Sequence, residues 1–270
     1  MEEKYESLEI VEKSPKSGIW YLILNRPSRR NALSRDFFSD FPKALYALDH
    51  NPHVKVIVLS GAGNHFCSGI DLSVLGSTAA NSGSGESLRR QIMAMQDAVT
   101  AMERCRKPVI ASIHGACIGG GIDIITACDI RMCTKEAFFS VKEVDLGLAA
   151  DLGTLQRLPL IVGFANAVEL ALTARTFSGS EAKELGLVSR ALDSKDELDE
   201  AVRDVAQAIA TKSPLAVVGT KMVLLKSRDL TVDQGLDYVA TLNAARLLSP
   251  DLTEAVSAQK QKRKPLFSNL

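Results

Sequence analysis

Short apolar runs alternate with helical stripes along the first half of the chain, and that alternation limits the fold more than any other feature. Ile19-Trp20-Tyr21-Leu22-Ile23-Leu24 reads as a buried strand, stopped by Asn25-Arg26-Pro27. Val54 to Leu59 is a second strand, closed by Ser60-Gly61-Ala62-Gly63, and Val109 to Ile113 is a third. Another lies near Ile130-Arg131-Met132-Cys133, ahead of the strand-like segment Phe138 to Glu143. Between these runs, Leu33, Phe37, Phe41, Leu45 and Leu48 fall three or four apart, as do Leu88, Ile92, Met95, Val99 and Met102. Pro42 is expected to kink the first of these helices or to open a new first turn. Gly119-Gly120-Gly121 introduces an apolar helix to Cys128, and beyond Asp151 nearly everything has helical spacing. Strands joined through helices predict an α/β core with parallel crossovers, over residues 1–200. Residues 201–270 form a helical region expected to pack on that core or on another subunit. The Gly- and Ser-rich stretch from Gly76 to Gly85 is expected to be a mobile loop.

Composition removes several function classes. Lys plus Arg number 32 and Asp plus Glu number 32, so no bulk field draws the chain to nucleic acid or to an acidic membrane. The longest charge-free stretch near the middle, Pro108 to Ile122, falls short of the ~20 residues that span a bilayer, and glycines interrupt it. Met1-Glu2-Glu3-Lys4 opens neither a signal peptide nor a transit helix. The 5 cysteines show no paired spacing, which suggests free thiols in a reducing compartment.

Two loops after buried strands are built for close backbone approach: His65 to Leu72, and His114 to Asp123. Three glycines at a helix start leave N–H groups free, and the helix dipole suits a developing anion there. Tight helix–strand packing explains a glycine run equally well. No Gly-Lys-Ser/Thr follows, and G-x-G-x-x-G spacing is absent, so neither nucleotide motif applies.

Asn25-Arg26-Pro27, Asn31-Ala32-Leu33, Phe66 to Leu72, and His114-Gly115 with Gly119-Gly120-Gly121 follow the order seen in the crotonase (enoyl-CoA hydratase/isomerase) superfamily, which the chain resembles from Ile19 to its tail. Gly-Gly-Gly-Ile-Asp, Val-Lys-Glu-Val-Asp-Leu-Gly-Leu-Ala-Ala-Asp and Gly-Thr-Leu-Gln-Arg-Leu-Pro are most similar to the Δ3,5-Δ2,4-dienoyl-CoA isomerases within it. The resemblance implies a crotonase-like ββα spiral core with a C-terminal helical region. It also implies an acyl-CoA substrate that brings its own coenzyme A, with neither metal nor redox cofactor. The amides of Ile70 and Gly120 would form an oxyanion hole for the thioester, with Ser68, Gly69, Ile70, Asp71 and Leu72 lining the site. An enolate is reachable from a thioester only if such donors stabilise it.

Three acids stand out: Asp123, Glu143 and Asp151. Taken singly, each has an ordinary explanation. Asp123 could serve the dipole of its helix, Glu143 could pair with Lys142 at the surface, and Asp151 could cap a helix. The resemblance shifts all three together, because the hydratases carry Glu at the position of Asp123 and no acid at that of Asp151. It implies Glu143 as the base near C2, Asp151 as the acid near C6, and Asp123 as the residue that orients or polarises the pair.

Other residues have plainer readings. Cys67 lacks a His–acid partner by spacing, His114 reads as a hydrogen-bonded strand end, and Arg29-Arg30 as solvated charges that could meet CoA phosphates. Lys260, Lys262, Arg263 and Lys264 read as a solvated basic tail. The leading function is dienoyl-CoA isomerisation in fatty-acid β-oxidation, with 2-enoyl-CoA hydration and RNA binding as alternatives. The family pattern implies a homohexamer, a dimer of trimers. Ser268-Asn269-Leu270 resembles a peroxisomal Ser-Lys-Leu address with Asn in the centre, which predicts a peroxisomal protein that meets an import receptor.

Overall fold

The structure is a computed structural model that describes residues 5–74 and 84–269. The apolar runs lie side by side in it. β1 (Leu8–Val11), β2 (Ile19–Leu24), β3 (Val56–Gly61), β4 (Val109–Ile113), β6 (Ile130–Thr134) and β9 (Arg190–Leu192) form a six-stranded sheet in that order. Only β1 runs antiparallel to its neighbour within this sheet; the other joins are parallel, as helical crossovers require. A second sheet takes β5 (Ala116–Ile118), β7 (Phe138–Ser140) and β8 (Phe177–Ser178), again in that order. The segment expected as one strand from Phe138 to Glu143 therefore divides. Its end turns into a 3-10 helix over Glu143–Leu146.

Alternation along the strands sorts the core into two faces. Leu22, Leu24, Ile57 and Leu59 join α1 (Arg35–His50) on one side, through Phe37, Phe41, Leu45 and Leu48. Tyr21, Val56, Val58, Ile110 and Met132 point to the other, where α7 (Lys195–Ala210) lays down Leu198, Val202, Ala206 and Ala210. The expected boundary at residue 200 falls inside α7, whose buried face belongs with the sheet. Pro42 lies within α1 without ending it. Its helix-interior cost is about 3 kcal/mol, and burying Phe41 and Leu45 on the same face offsets that at roughly 1.5–3 kcal/mol each.

The remaining helices are α2 (Gly85–Arg104), α3 (Gly120–Ala127), α4 (Thr154–Val162), α5 (Phe164–Thr173), α6 (Gly179–Glu184), α8 (Pro214–Ser227), α9 (Val232–Arg246) and α10 (Pro250–Lys260). Ser84 caps α2, so Gly85 is helical, while residues 75–83 of the expected mobile loop lie outside the described residues. Leu270 of the C-terminal tripeptide does too. In α2 the stripe is buried only at Val99 and Met102, whereas Leu88, Ile92 and Met95 are half-buried. No single helix among the described residues is long and apolar enough to cross a membrane. In the tail, Arg263 is not simply solvated: its guanidinium grips Glu254 at 2.5 and 2.8 Å.

One ion pair fastens the helical region to the sheet. Lys221 of α8 is buried and donates to the carbonyls of Met102 at 2.9 Å and Lys107 at 3.0 Å, and to Asp129 Oδ2 at 2.7 Å. Asp129 Oδ2 also accepts the Val109 amide that opens β4, at 2.7 Å. Replacing Lys221 by Met keeps the stem but strands this carboxylate and two carbonyls. Urea denaturation should show a loss of about 3–5 kcal/mol.

Candidate active site

The site begins with a buried amide. Asn31 takes a left-handed φ of 55° and is 2% exposed. Its Oδ1 accepts the Arg26 amide at 2.9 Å, and its Nδ2 donates to the carbonyls of Ala62 at 2.9 Å and His65 at 2.7 Å. Asn31 thus joins the loop after β2 to the loop after β3. Residues 66–71 then run between two backbones. On one side the Phe66 amide meets His114 O, the Cys67 amide meets Ala116 O and the Ile118 amide meets Cys67 O, at 2.8, 2.9 and 3.0 Å. On the other, Leu33 N–H bonds Gly69 O and Asp71 N–H bonds Leu33 O, at 2.8 and 3.0 Å.

This threading consumes the amides around Ile70 but not its own. Among the described residues no acceptor takes the N–H of Ile70 or of Gly120, the first residue of α3. The two lie together. A Cβ placed on Gly120 would stand 3.5 Å from Ile70 N, 3.3 Å from Ile70 Cγ1 and 2.9 Å from Leu33 Cδ1. Gly69 sits at φ +94°, and a Cβ there would come within 3.0 Å of Ile118 O and 3.6 Å of Gly120 N. Two free amides beside a helix N-terminus make a concentrated donor site for an oxyanion. The other expected lining residues are brought beside it, with their polar groups engaged. The Ser68 amide donates to Arg30 O at 3.0 Å. Asp71 holds the Ser73 hydroxyl at 2.8 Å and Arg26 Nη2 at 3.1 Å, which keep its carboxyl below the usual range. Leu72 is exposed.

All three acids converge on the same region. Asp123, in the first turn of α3, is buried, and its Oδ1 accepts both the amide and the hydroxyl of Thr154 at 2.7 Å. It therefore reaches out of its own helix to cap α4. Burial pushes its pKa up to about 6 against those two bonds, and the Asp151 charge adds to the rise. Glu143 is buried at the start of its 3-10 turn, with Oε2 lacking any hydrogen-bond partner among the described residues. Parallel pairing of β5 with β7, and the Gly119 amide on Ser140 O at 2.9 Å, bring this turn against the glycine run. Its Oε1 would be 3.4 Å from a Cβ on Gly119. Burial lifts Glu143 to about 7, with the charges of Asp123 and Asp151 pushing the same way. Asp151 is half-buried, and desolvation raises its carboxyl too.

The simpler explanations for these acids give way to specific contacts. Lys142 pairs with Asp145, not Glu143. Gly153, not Asp151, is the N-cap of α4, and it offers no side-chain bond. Gln96 and Arg157 hold the Asp151 segment in place and Thr154 holds Asp123. Thr154 and Arg157 lie in the Gly-Thr-Leu-Gln-Arg-Leu-Pro run, whereas Gln96 carries no signal in the sequence. Gln96 Nε2 donates to Asp151 O at 2.7 Å. Arg157 donates to Leu152 O at 3.3 Å, to Thr100 at 3.0 Å and to both oxygens of Glu103 at 3.1 and 3.0 Å. Apart from Leu152, their partners lie 31 to 57 residues away in the chain, out of reach of any local pattern.

Cys67 is no nucleophile, since burial drives its thiol up to about 12. The same holds for Cys105, Cys128 and Cys133, and Cys117 is raised as well; all five cysteines are free and buried. His114 is a buried strand-end residue whose Nε2 lies 2.8 Å from Gly63 O. Arg29 and Arg30 are exposed.

The enoyl-CoA hydratase/isomerase family matches residues 14–269. A protein of Arabidopsis thaliana named Delta(3,5)-Delta(2,4)-dienoyl-CoA isomerase, peroxisomal, is 65% identical over 99% of this chain and 99% of its own length. The mitochondrial protein of that name from Mus musculus is 43% identical, over 96% of this chain and 81% of its own. Among solved structures, an enoyl-CoA hydratase from Bacillus anthracis superposes with a TM-score of 0.90 at 28% identity, covering 97% of this chain and 99% of that one. With a family match from residue 14 to residue 269 and the sheet order and site loops in place, the chain belongs to the enoyl-CoA hydratase/isomerase family.

Proposed function

We propose that this protein is a Δ3,5-Δ2,4-dienoyl-CoA isomerase of fatty-acid β-oxidation, with Glu143 and Asp151 as its proton-transfer groups. One observation carries the assignment of roles: a third acid, Asp151, lies within electrostatic reach of the Asp123–Glu143 pair. The thioester oxygen of a 3,5-dienoyl-CoA binds the amides of Ile70 and Gly120. Glu143, ionised, takes a proton from C2, and the charge moves onto that oxygen, where the two N–H groups stabilise it. Conjugation spreads the charge along the diene to C6. Asp151, protonated, delivers a proton there, and the double bonds settle at C2 and C4. Asp123 orients and polarises the pair. Burial suits both reacting acids, because it brings the base close to neutrality and keeps the donor protonated to higher pH.

Separate substitutions distinguish the two ends of the diene. Glu143→Gln should lose both isomerisation and solvent-deuterium exchange at C2, by ~100- to 10,000-fold. Asp151→Asn should still exchange at C2 while the rise in ultraviolet absorbance from conjugated product fails. Near-normal isomerisation in a folded Asp151→Asn protein would remove Asp151 from the reaction.

The raised Glu143 carboxyl links activity to stability. Turnover should fall on the acid side with a midpoint at about 7, where the base becomes protonated. Unfolded Glu143 ionises around its ordinary 4.5, so the folded state loses stability as pH rises from 4.5 to about 7 and keeps the full deficit above it. That deficit is ~3 kcal/mol. Glu143→Gln should therefore unfold at higher denaturant than the parent at pH 8, while below pH 4.5 the two should converge.

The apolar surface left over suits assembly into a homohexamer, a dimer of trimers. Phe164 and Leu172 on α5, Val232 and Leu236 on α9, and Leu247 and Leu248 beyond it are all exposed. α9 buries none of its residues within the chain. Such faces mark interfaces rather than free surface. Light scattering at low micromolar concentration should give about six chains. The 65%-identical relative is named as peroxisomal, and this chain is assigned to the same compartment.

A further inference from the structure

We propose that Thr154 is a positioning residue of the isomerase, its hydroxyl and amide together holding Asp123 as a charged neighbour of Glu143. The inference rests on the site roles given above and adds a residue to them. Thr154 is fully buried at the first position of α4. Its amide and its hydroxyl both end on the same oxygen, Asp123 Oδ1, at 2.7 Å each. The amide bond alone would cap α4. A second donor to that oxygen does nothing more for the helix end. What it does is stabilise the carboxylate form of a buried acid.

The groups that face Asp123 define what its charge can influence. Asp151 lies in the segment before α4, Arg157 on α4, and Glu143 in the 3-10 turn. The thiols of Cys67 and Cys117 lie on the segment paired with β5 and on β5 itself, and burial keeps both neutral through the working range. Asp123 is poised at about 6, with Thr154 opposing the effect of burial. A charge-assisted hydrogen bond from a hydroxyl is worth about one pKa unit or more. Without it Asp123 would be about half neutral at pH 7. Glu143 would then lose a like charge beside it and would ionise more easily.

The test reads that coupling directly. In kcat/KM profiles for 3,5-dienoyl-CoA, Thr154→Val, which keeps the shape and the amide, should move the acid limb to lower pH by roughly half a unit. The slightly weaker base should lower kcat about twofold above the limb, with KM little changed. Thr154→Ser, which restores the hydroxyl, should return both to the parent values. In an Asp123→Asn background, Thr154→Val should leave the limb where Asp123→Asn alone puts it. Should Thr154→Val fail to fold, Thr154→Cys, with a weak donor of similar size, must move the limb in the same direction. A folded Thr154→Val or Thr154→Cys enzyme that loses thermal stability but keeps the parent profile would overturn the proposal, as would a limb shift that persists without Asp123. These outcomes concern Thr154 alone; full turnover in Glu143→Gln would instead overturn the site reading beneath it.

Discussion

Everything in the site depends on how six residues are threaded. Residues 66–71 bond through their backbone to β5 on one side and to Leu33 on the other. Between these bonds the Ile70 amide is left over, and β5, which pairs with the same segment at Cys67, runs directly into Gly119 and Gly120. The two free amides are therefore set by main-chain pairing rather than by side-chain rotamers. That gives a preorganised dipole pair with little freedom to relax, the condition under which such donors act most strongly on a developing charge. Asn31 is the fastening of this arrangement, because its amide satisfies three backbone groups from two loops.

The acids are arranged on the opposite principle. Burial lifts Asp123, Glu143 and Asp151 above their ordinary values, and Glu143 keeps a buried oxygen without a partner among the described residues. An uncompensated buried carboxylate opposes folding, and the surrounding structure carries that cost. The bonds from Gln96 and Arg157 fix the chain that bears Asp151, and those of Thr154 fix Asp123, while among the described residues Glu143 has no ion pair to neutralise it. The scaffold is tight and the reacting group is not.

The sequence made the architecture readable where apolar runs were long and periodic. Ile19 to Leu24 pairs as a strand, and Leu33, Phe37, Phe41, Leu45 and Leu48 all reach the core. β1, β8 and β9 left no such signal, being 2 to 4 residues long and partly exposed. Pro42 read as a break because a local rule ignores the burial on either side of it. The stripe of α2 was right in period and wrong in extent, since periodicity does not say how far along a helix the core continues. For the site, motifs together with a family resemblance pointed to Ile70, Gly120 and the three acids, which the fold brings to one region. What Thr154, Gln96 and Arg157 hold was not legible, because it depends on contacts 31 to 57 residues away.

The buried thiols carry a consequence of a different kind. Peroxides attack thiolates far faster than thiols, and a thiol held near 12 presents almost no thiolate at physiological pH. Four of the five cysteines are held there, the fifth is raised as well, and all are shielded from solvent. Cys67 and Cys117 even pair across the backbone next to the oxyanion donors, where a sulfenic acid would crowd the thioester. Burial thus leaves these thiols little open to oxidation, and none of the five is tied in a disulfide.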